Sequence, residues 1–154
     1  MQIPKSADEA YAIDEAIANK LWTDAIREEM MKIKGAIRVH EGSLDELSGY
    51  QQITGHITFD IKLGEGFRRK VRFVGDGHKT ETPNSVTYSS VVSRNSLRIM
   101  LMIADLNDLG KEGADIEYAY LTAPCREKVQ MGGGIEFSEL VDEVLIIESA
   151  LYGL

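Results

Sequence analysis

Residues 56–74, HITFDIKLGEGFRRKVRFV, decide the fold that we expect for this chain. Apolar and polar residues alternate through both halves of the segment, and the apolar residues that follow this alternation are Ile57, Phe59, Ile61, Leu63, Phe67, Val71 and Phe73. Such alternation is typical of strands that bury one face, and the GEG at residues 64–66 has the length and composition of a tight turn. The segment therefore predicts a β-hairpin with one face against a core.

The same alternation places three cations, Arg68, Lys70 and Arg72, together on the other face of the second strand. Cations in a row can bind phosphate groups through charge-assisted hydrogen bonds. They can equally form a solvated sheet face, paired across the hairpin with Asp60 or Glu65. The residues alone leave both interpretations open.

The chain before the hairpin predicts one long amphipathic helix. Residues 6–9, SADE, match the capping box in which Ser6 and Glu9 each bond the backbone of the other. Apolar residues then recur at helical spacing, at Ile13, Ile17, Leu21, Trp22, Ile26, Met30 and Ile33. Gly35 follows as the expected C-terminal cap.

The remaining segments mix helices and strands, which predicts an α+β fold without an internal linker. We expect short strands at 36–40 and 143–148, and a strand followed by a turn at 113–124. Residues 41–49 read as a polar loop with one helical turn, and 75–85 and 131–139 as further loops. A second helix is predicted from a cap at Ser93 or Asn95 to near Gly110, and residues 149–154 resemble the start of another.

Composition narrows the functional classes. The net charge of −8 argues against nucleic-acid binding through overall charge, but it does not exclude a local basic patch. One cysteine, Cys125, permits no internal disulfide, and no apolar run reaches membrane-spanning length. The first residues lack the layout of a signal peptide. We therefore expect an intracellular, cytoplasmic protein with no membrane partner.

Several apparent motifs do not fit the patterns that they resemble. GDGHKT, residues 75–80, has His78 where a phosphate-binding loop of the nucleotide-binding type has glycine. Residues 105–116 resemble a calcium loop but end in Ile116 instead of a bidentate glutamate. The three histidines, His40, His56 and His78, are not paired at metal-ligand spacing.

Six stretches, in order, resemble the N-terminal part of a copia-type retrotransposon reverse transcriptase. The helix pattern W-x-x-A-x-x-x-E is matched by Trp22, Ala25 and Glu29. The other five stretches are FDIK at 59–62, KVRFV at 70–74, TYSSVVSRNSLRI at 87–99, DIEYAYL at 115–121 and ALYGL at 150–154. Their order and spacing together carry the resemblance, since no single motif is decisive.

This resemblance implies the fingers and partial palm of a right-handed polymerase, and an RNA-directed DNA polymerase (nucleotidyltransferase) ancestry. It implies that Asp115 is the first catalytic carboxylate and a Mg²⁺ ligand, and that Tyr120 packs under the sugar of the incoming nucleotide. Lys70 and Arg72 would contact that nucleotide, and Arg68 the nucleic acid. The implied partners are an RNA or DNA template–primer and a deoxynucleoside triphosphate.

Two further carboxylates of such a site come from a Y-x-D-D motif, which the 154 residues do not contain. We therefore expect residues 1–154 to be a single partial reverse-transcriptase domain, truncated before that motif and inactive alone. The chain also departs from the family pattern at Asp76, where lysine is usual, and at Ser90, where proline is usual.

Two other readings stay open. The chain can be half of a split polymerase that a separate chain completes. It can also be a small acidic protein-interaction module with an inherited polymerase scaffold and no nucleic-acid role. A truncated domain is further expected to expose residues 143–148 and 150–154 and to self-associate.

Overall fold

A computed structural model describes residues 2–64, 66–80 and 90–154. In these residues the helices are α1 (Ala7–Ala16), α2 (Leu21–Ile33) and α3 (Arg94–Leu106). The strands are β1 (Ile37–Val39), β2 (Gln51–Ile53), β3 (Gly55–Lys62), β4 (Arg68–Gly75), β5 (Val129–Gly132) and β6 (Val144–Ile147). The α+β class is confirmed. Glu65 of the predicted turn, residues 81–85 of the predicted loop and the start of the TYSS motif lie outside the described residues.

The chain forms two compact units. The first comprises Met1–Thr82 and Tyr118–Leu154, and it contains α1, α2 and all the strands named above. The second is Pro83–Glu117, which contains α3. No helix of the described residues is long and apolar enough to cross a membrane.

A four-stranded sheet in the order β1-β6-β5-β2 lies at the centre of the first unit. Strand β6 is antiparallel to both β1 and β5, whereas β2 and β5 run parallel. Leu145, Ile146 and Ile147 of β6 are buried. The predicted strand at 143–148 is thus confirmed, but the expectation that it would be exposed is wrong because β1 and β5 pair with both of its edges.

The predicted hairpin is confirmed as the antiparallel pair β3–β4. Its register sets Thr58 opposite Arg72 and Asp60 opposite Lys70. Ile57, Val71 and Phe73 point into the core, as the alternation predicts. Helix α2 packs on this inner face, where the ring of Trp22 meets Phe59 edge to face at 5.6 Å between centroids.

The prediction of a single long N-terminal helix is wrong. The helix is interrupted between Ala16 and Leu21, where Ala18 has a left-handed conformation (φ 50°). Helix α2 has no cap from its own N-cap residue, Lys20. Instead the buried Asp14 carboxylate of α1 accepts bonds from the N–H groups of Trp22 (3.2 Å) and Thr23 (2.8 Å). The apolar spacing continues across the break, which is why periodicity alone missed it.

The predicted helix caps are partly confirmed. The Glu9 N–H donates to Ser6 Oγ (3.2 Å), and the Ser96 N–H donates to Ser93 Oγ (3.0 Å). The Glu9 carboxylate, however, accepts from the Lys5 N–H instead of that of Ser6. Gly35 lies within a 3₁₀ turn instead of capping α2, and α3 ends at Leu106, before Gly110.

The predicted strand at 113–124 is also wrong. Residues 113–116 have no regular secondary structure and are exposed, Tyr118 is left-handed (φ 54°), and Ala119–Thr122 form a 3₁₀ turn. Leaving the carboxylates of Asp115 and Glu117 in water avoids the cost of burying two charges in a strand.

Residues 149–154 do not begin a helix. Ser149 and Tyr152 make single β-bridges to Pro124 and Val74, so the chain runs alongside β4. Gly153 has φ +92°, and a Cβ there would lie 2.3 Å from the Gly75 carbonyl oxygen. Only glycine fits this close approach.

Replacing Asp14 tests the shared cap between α1 and α2. Asp14→Ala removes a buried acceptor of three hydrogen bonds, including one from Thr23 Oγ1 (2.8 Å), and leaves their donors unsatisfied. We expect the free energy of unfolding, measured by urea denaturation, to fall by about 2 kcal/mol or more. The matched control is Asp24→Ala, an exposed first-turn acid of α2, with an expected loss of about 0.5 kcal/mol. Equal losses in both variants would contradict the shared cap.

Candidate nucleic-acid interface

The hairpin has an outer face that is strongly basic. We use the term outer face for the residues that alternate away from the core on both strands: His56, Thr58, Asp60, Lys62, Arg68, Lys70, Arg72 and Val74. Four of these are Lys or Arg and one is a carboxylate. A chain with a net charge of −8 therefore concentrates positive charge on one small surface.

Helix α2 holds strand β4 in place and thereby positions the outer face. The carboxylate of Glu29 accepts a hydrogen bond from the Phe73 N–H (3.2 Å), a group that β3 does not pair. Burial raises the pKa of Glu29, and this hydrogen bond together with Lys32 and Arg72 opposes the rise. Glu29 belongs to the W-x-x-A-x-x-x-E pattern of the sequence, but that pattern does not indicate this contact, since only the fold brings α2 beside β4.

The three predicted cations share the outer face but differ in their partners. Arg68 forms an ion pair with Glu28 of α2 (3.4 Å), in which both side chains are exposed. Lys70 lies opposite Asp60 and Arg72 opposite Thr58. Among the described residues, no carboxylate lies within 4.0 Å of the charged groups of Lys70 or Arg72.

The local electrostatics indicate an excess of positive charge around Lys70. Partial desolvation lowers the pKa of its ammonium group, and the neighbouring Arg72 and Lys62 lower it further, against the opposing effects of Asp60 and Glu29. The Asp60 carboxylate also accepts a hydrogen bond from the Ile61 N–H (2.8 Å). The other proposed partner, Glu65, lies outside the described residues. An incoming anion would relieve the repulsion between these cations.

At the base of the hairpin, Asp76 is surrounded by donors. Its carboxylate accepts from Thr54 Oγ1 and from Lys79 Nζ (3.0 Å), and it contacts His56 Nδ1 (2.9 Å). The bonds from Thr54 and Lys79 lower the pKa of Asp76 to about 2. The acid that departs from the family pattern is thus paired with Lys79, so its charge does not stand unopposed beside the outer face.

The prediction of a strand at Tyr120 is wrong, because Tyr120 lies in the 3₁₀ turn Ala119–Thr122. Its ring contacts that of Tyr152, with centroids 5.1 Å apart and planes at 53°. The sequence does not indicate a role for Tyr152, because residues 149–154 resemble the start of a helix. Residues 150–154, ALYGL, have no apolar–polar alternation that would indicate an extended segment.

The segment before this turn is held against α2 by a cation–π contact. Lys32 Nζ lies 4.7 Å from the centroid of the Tyr118 ring, and it also bonds Glu28 (2.9 Å), the partner of Arg68. One helix surface therefore positions both the predicted basic strand and the turn that carries Tyr120.

Asp115, the predicted metal ligand, lies in the second unit and is exposed. Within residues 2–64, 66–80 and 90–154, no group of three His, Cys, Asp or Glu residues has metal-binding geometry. Mg²⁺ usually needs more than one carboxylate or help from substrate phosphates.

Comparison of the chain with protein-family models, with curated proteins and with solved structures found no significant match. The resemblance to copia-type reverse transcriptases is an expectation from the six ordered motifs of the sequence.

The low pKa of Asp76 predicts a specific acid dependence of stability. A carboxyl with a pKa of about 2 in the folded state and 3.8 unfolded contributes stability that is complete above pH 3.8 and is lost as the pH falls through 2. We expect Asp76→Asn to be less stable than the parent protein at pH 7, and the difference to shrink between pH 4 and pH 2. Urea midpoints across this range measure it. A difference that stays constant down to pH 2 would contradict the assignment.

Proposed function

We propose that this chain is a nucleic-acid-binding segment related to the fingers and partial palm of copia-type reverse transcriptases, without polymerase activity by itself. The observation that carries the proposal is the outer face, with four Lys or Arg side chains and one carboxylate on an otherwise acidic chain. Neutralised phosphates and released counterions supply most of the affinity of such a surface.

The arrangement of the cations suits a linear polyanion. Alternate residues of a strand lie about 6.7 Å apart, so Arg68, Lys70 and Arg72 form a row along β4. The hydrogen bond from Glu29 of α2 holds the backbone of β4, so that binding need not order this strand. Arg72 offers a planar guanidinium that can bond two phosphate oxygens at once.

By the resemblance, Tyr120, Lys70 and Arg72 belong to the site of an incoming deoxynucleoside triphosphate, Arg68 to the template–primer path, and Asp115 to the Mg²⁺ ligands. Catalysis of this kind uses two metal ions that stabilise the attacking and leaving oxygens. One carboxylate is insufficient for that role, so the remainder of the polymerase, with its Y-x-D-D, is a required partner for synthesis.

A second candidate function is a protein-interaction module. Helix α3 favours it, because seven of its large apolar side chains are between 38% and 76% exposed, namely Leu97, Ile99, Met100, Leu101, Met102, Ile103 and Leu106. Exposed apolar clusters of this size mark association surfaces. Binding to a hybrid duplex over a salt series separates the candidates, because self-association is expected of both and the module predicts no salt-dependent nucleic-acid binding.

Arg72→Ala tests the proposed function. We expect binding of an RNA–DNA primer–template to weaken about tenfold at low salt, because one charge-assisted phosphate contact is lost. The slope of log K against log salt should decrease in magnitude by about 1. Fluorescence anisotropy of a labelled primer–template over a salt series measures both quantities.

The matched control is Arg38→Ala, which removes the same charge from β1, where Arg38 pairs with Glu148 (2.6 Å). That variant should leave the affinity and the salt slope within about twofold of the parent values. Equal effects of the two substitutions would contradict a role for the outer face.

Primer extension tests the absence of activity. With Mg²⁺ and all four deoxynucleoside triphosphates, this chain should give no extension product, because it supplies one of three required carboxylates. Robust synthesis by the purified chain would overturn the proposal that it is inactive alone. Synthesis that appears only with an added chain carrying Y-x-D-D would support the split polymerase.

A further inference from the structure

We propose that Tyr120 and Tyr152 form a stacking platform for an unpaired base, so that the preferred ligand of the outer face is single-stranded nucleic acid. This inference rests on the proposed function, because it assigns a ligand class to the same surface. It adds a binding residue, Tyr152, and a contact to bases where the cations contact phosphate.

Tyr152 lies on the same face of the hairpin as the cations. Tyr152 forms a parallel β-bridge with Val74, and its carbonyl oxygen accepts a hydrogen bond from the Gly75 N–H (2.7 Å). Residues paired on neighbouring strands point to the same face of a sheet. Val74 belongs to the outer face, so Tyr152 does too. Its neighbour Leu151 is fully buried in the core, which agrees with this orientation.

The rings of Tyr120 and Tyr152 are in contact with each other and are both at least partly exposed. Tyr120 is 55% exposed, Tyr152 is half-buried, and their rings meet at 5.1 Å with planes 53° apart. Exposed aromatic rings beside a basic groove are a recurring arrangement in proteins that bind single strands without sequence preference. The bases of a strand stack on the rings while its phosphates follow the cations.

The backbone that carries Tyr152 is packed closely against the end of β4. Gly77 and Gly153 let the two backbones approach closely, since a Cβ on Gly77 would lie 2.1 Å from the Gly153 carbonyl oxygen. The chain that carries Tyr152 is thereby fixed beside β4, next to Arg72 along the same face. A ring held in place loses little freedom when a base stacks on it.

The positions of the cations and the tyrosines favour a single strand over a duplex as the ligand. Bases inside a duplex are already stacked and do not offer a free ring face, whereas bases of a single strand do. A single strand can therefore satisfy the cations and the tyrosines together, while a blunt duplex satisfies the cations alone.

The test compares two oligonucleotides of equal length and charge, oligo(dT) and an abasic strand of the same sugar–phosphate backbone. The full chain should bind oligo(dT) about tenfold more tightly than the abasic strand, as measured by anisotropy. Tyr152→Leu should reduce this ratio to about one, and Tyr152→Phe, which retains the ring, should preserve it. Circular dichroism and a cooperative urea transition establish that each variant folds.

The outcomes separate the two proposals. Equal, salt-dependent binding of both oligonucleotides by the parent chain overturns the platform and leaves phosphate binding by the outer face intact. A ratio that survives Tyr152→Leu also overturns it. Failure of the parent chain to bind either strand at low salt overturns the proposed function, and the platform with it.

Discussion

The packing of α2 against the hairpin is the constraint on which the rest of the first unit depends. Trp22 fills the space against Phe59, and the Glu29 carboxylate bonds the Phe73 N–H. A buried carboxylate is costly unless it is hydrogen-bonded, so Glu29 is stable only where β4 presents an unpaired donor. This requirement fixes the position of the helix along the strand as well as its distance from it.

Fixing the inner face of the hairpin also determines its outer face. A strand has only two faces, and a shift of one residue would exchange buried Val71 and Phe73 with Lys70 and Arg72. Arg69 already lies on the inner face, 5.9 Å from the centroid of the Trp22 ring. Bringing Lys70 and Arg72 there in place of Val71 and Phe73 would bury further charge and expose two apolar side chains, which opposes the shift. The positive charge of the outer face is therefore a consequence of core packing, although its use as a binding surface is a separate property of the residues displayed there.

The sequence predicted the parts of the fold that repeat a local pattern over several residues. The alternation in 56–74 predicted the hairpin, and the Ser6 and Ser93 hydroxyls predicted two helix starts. It failed where a distant partner decides the local structure. The break before α2 depends on Asp14 reaching the N–H groups of Trp22 and Thr23. The short strands β2 and β5 depend on distant partners, since β5 pairs with both β2 and β6.

The candidate site shows the same division. Arg68, Lys70 and Arg72 were predicted to share a face because alternation is local, and the structure places them there. Tyr152 could not be placed from the sequence, since its position depends on the bridge to Val74, a residue much earlier in the chain. The most direct measurement of the central claim is an amide-resolved NMR titration of the chain with a short oligonucleotide. The account predicts that chemical-shift changes concentrate on residues of β3 and β4 and around Tyr120 and Tyr152. Changes confined to α3, or none at saturating oligonucleotide, would contradict it.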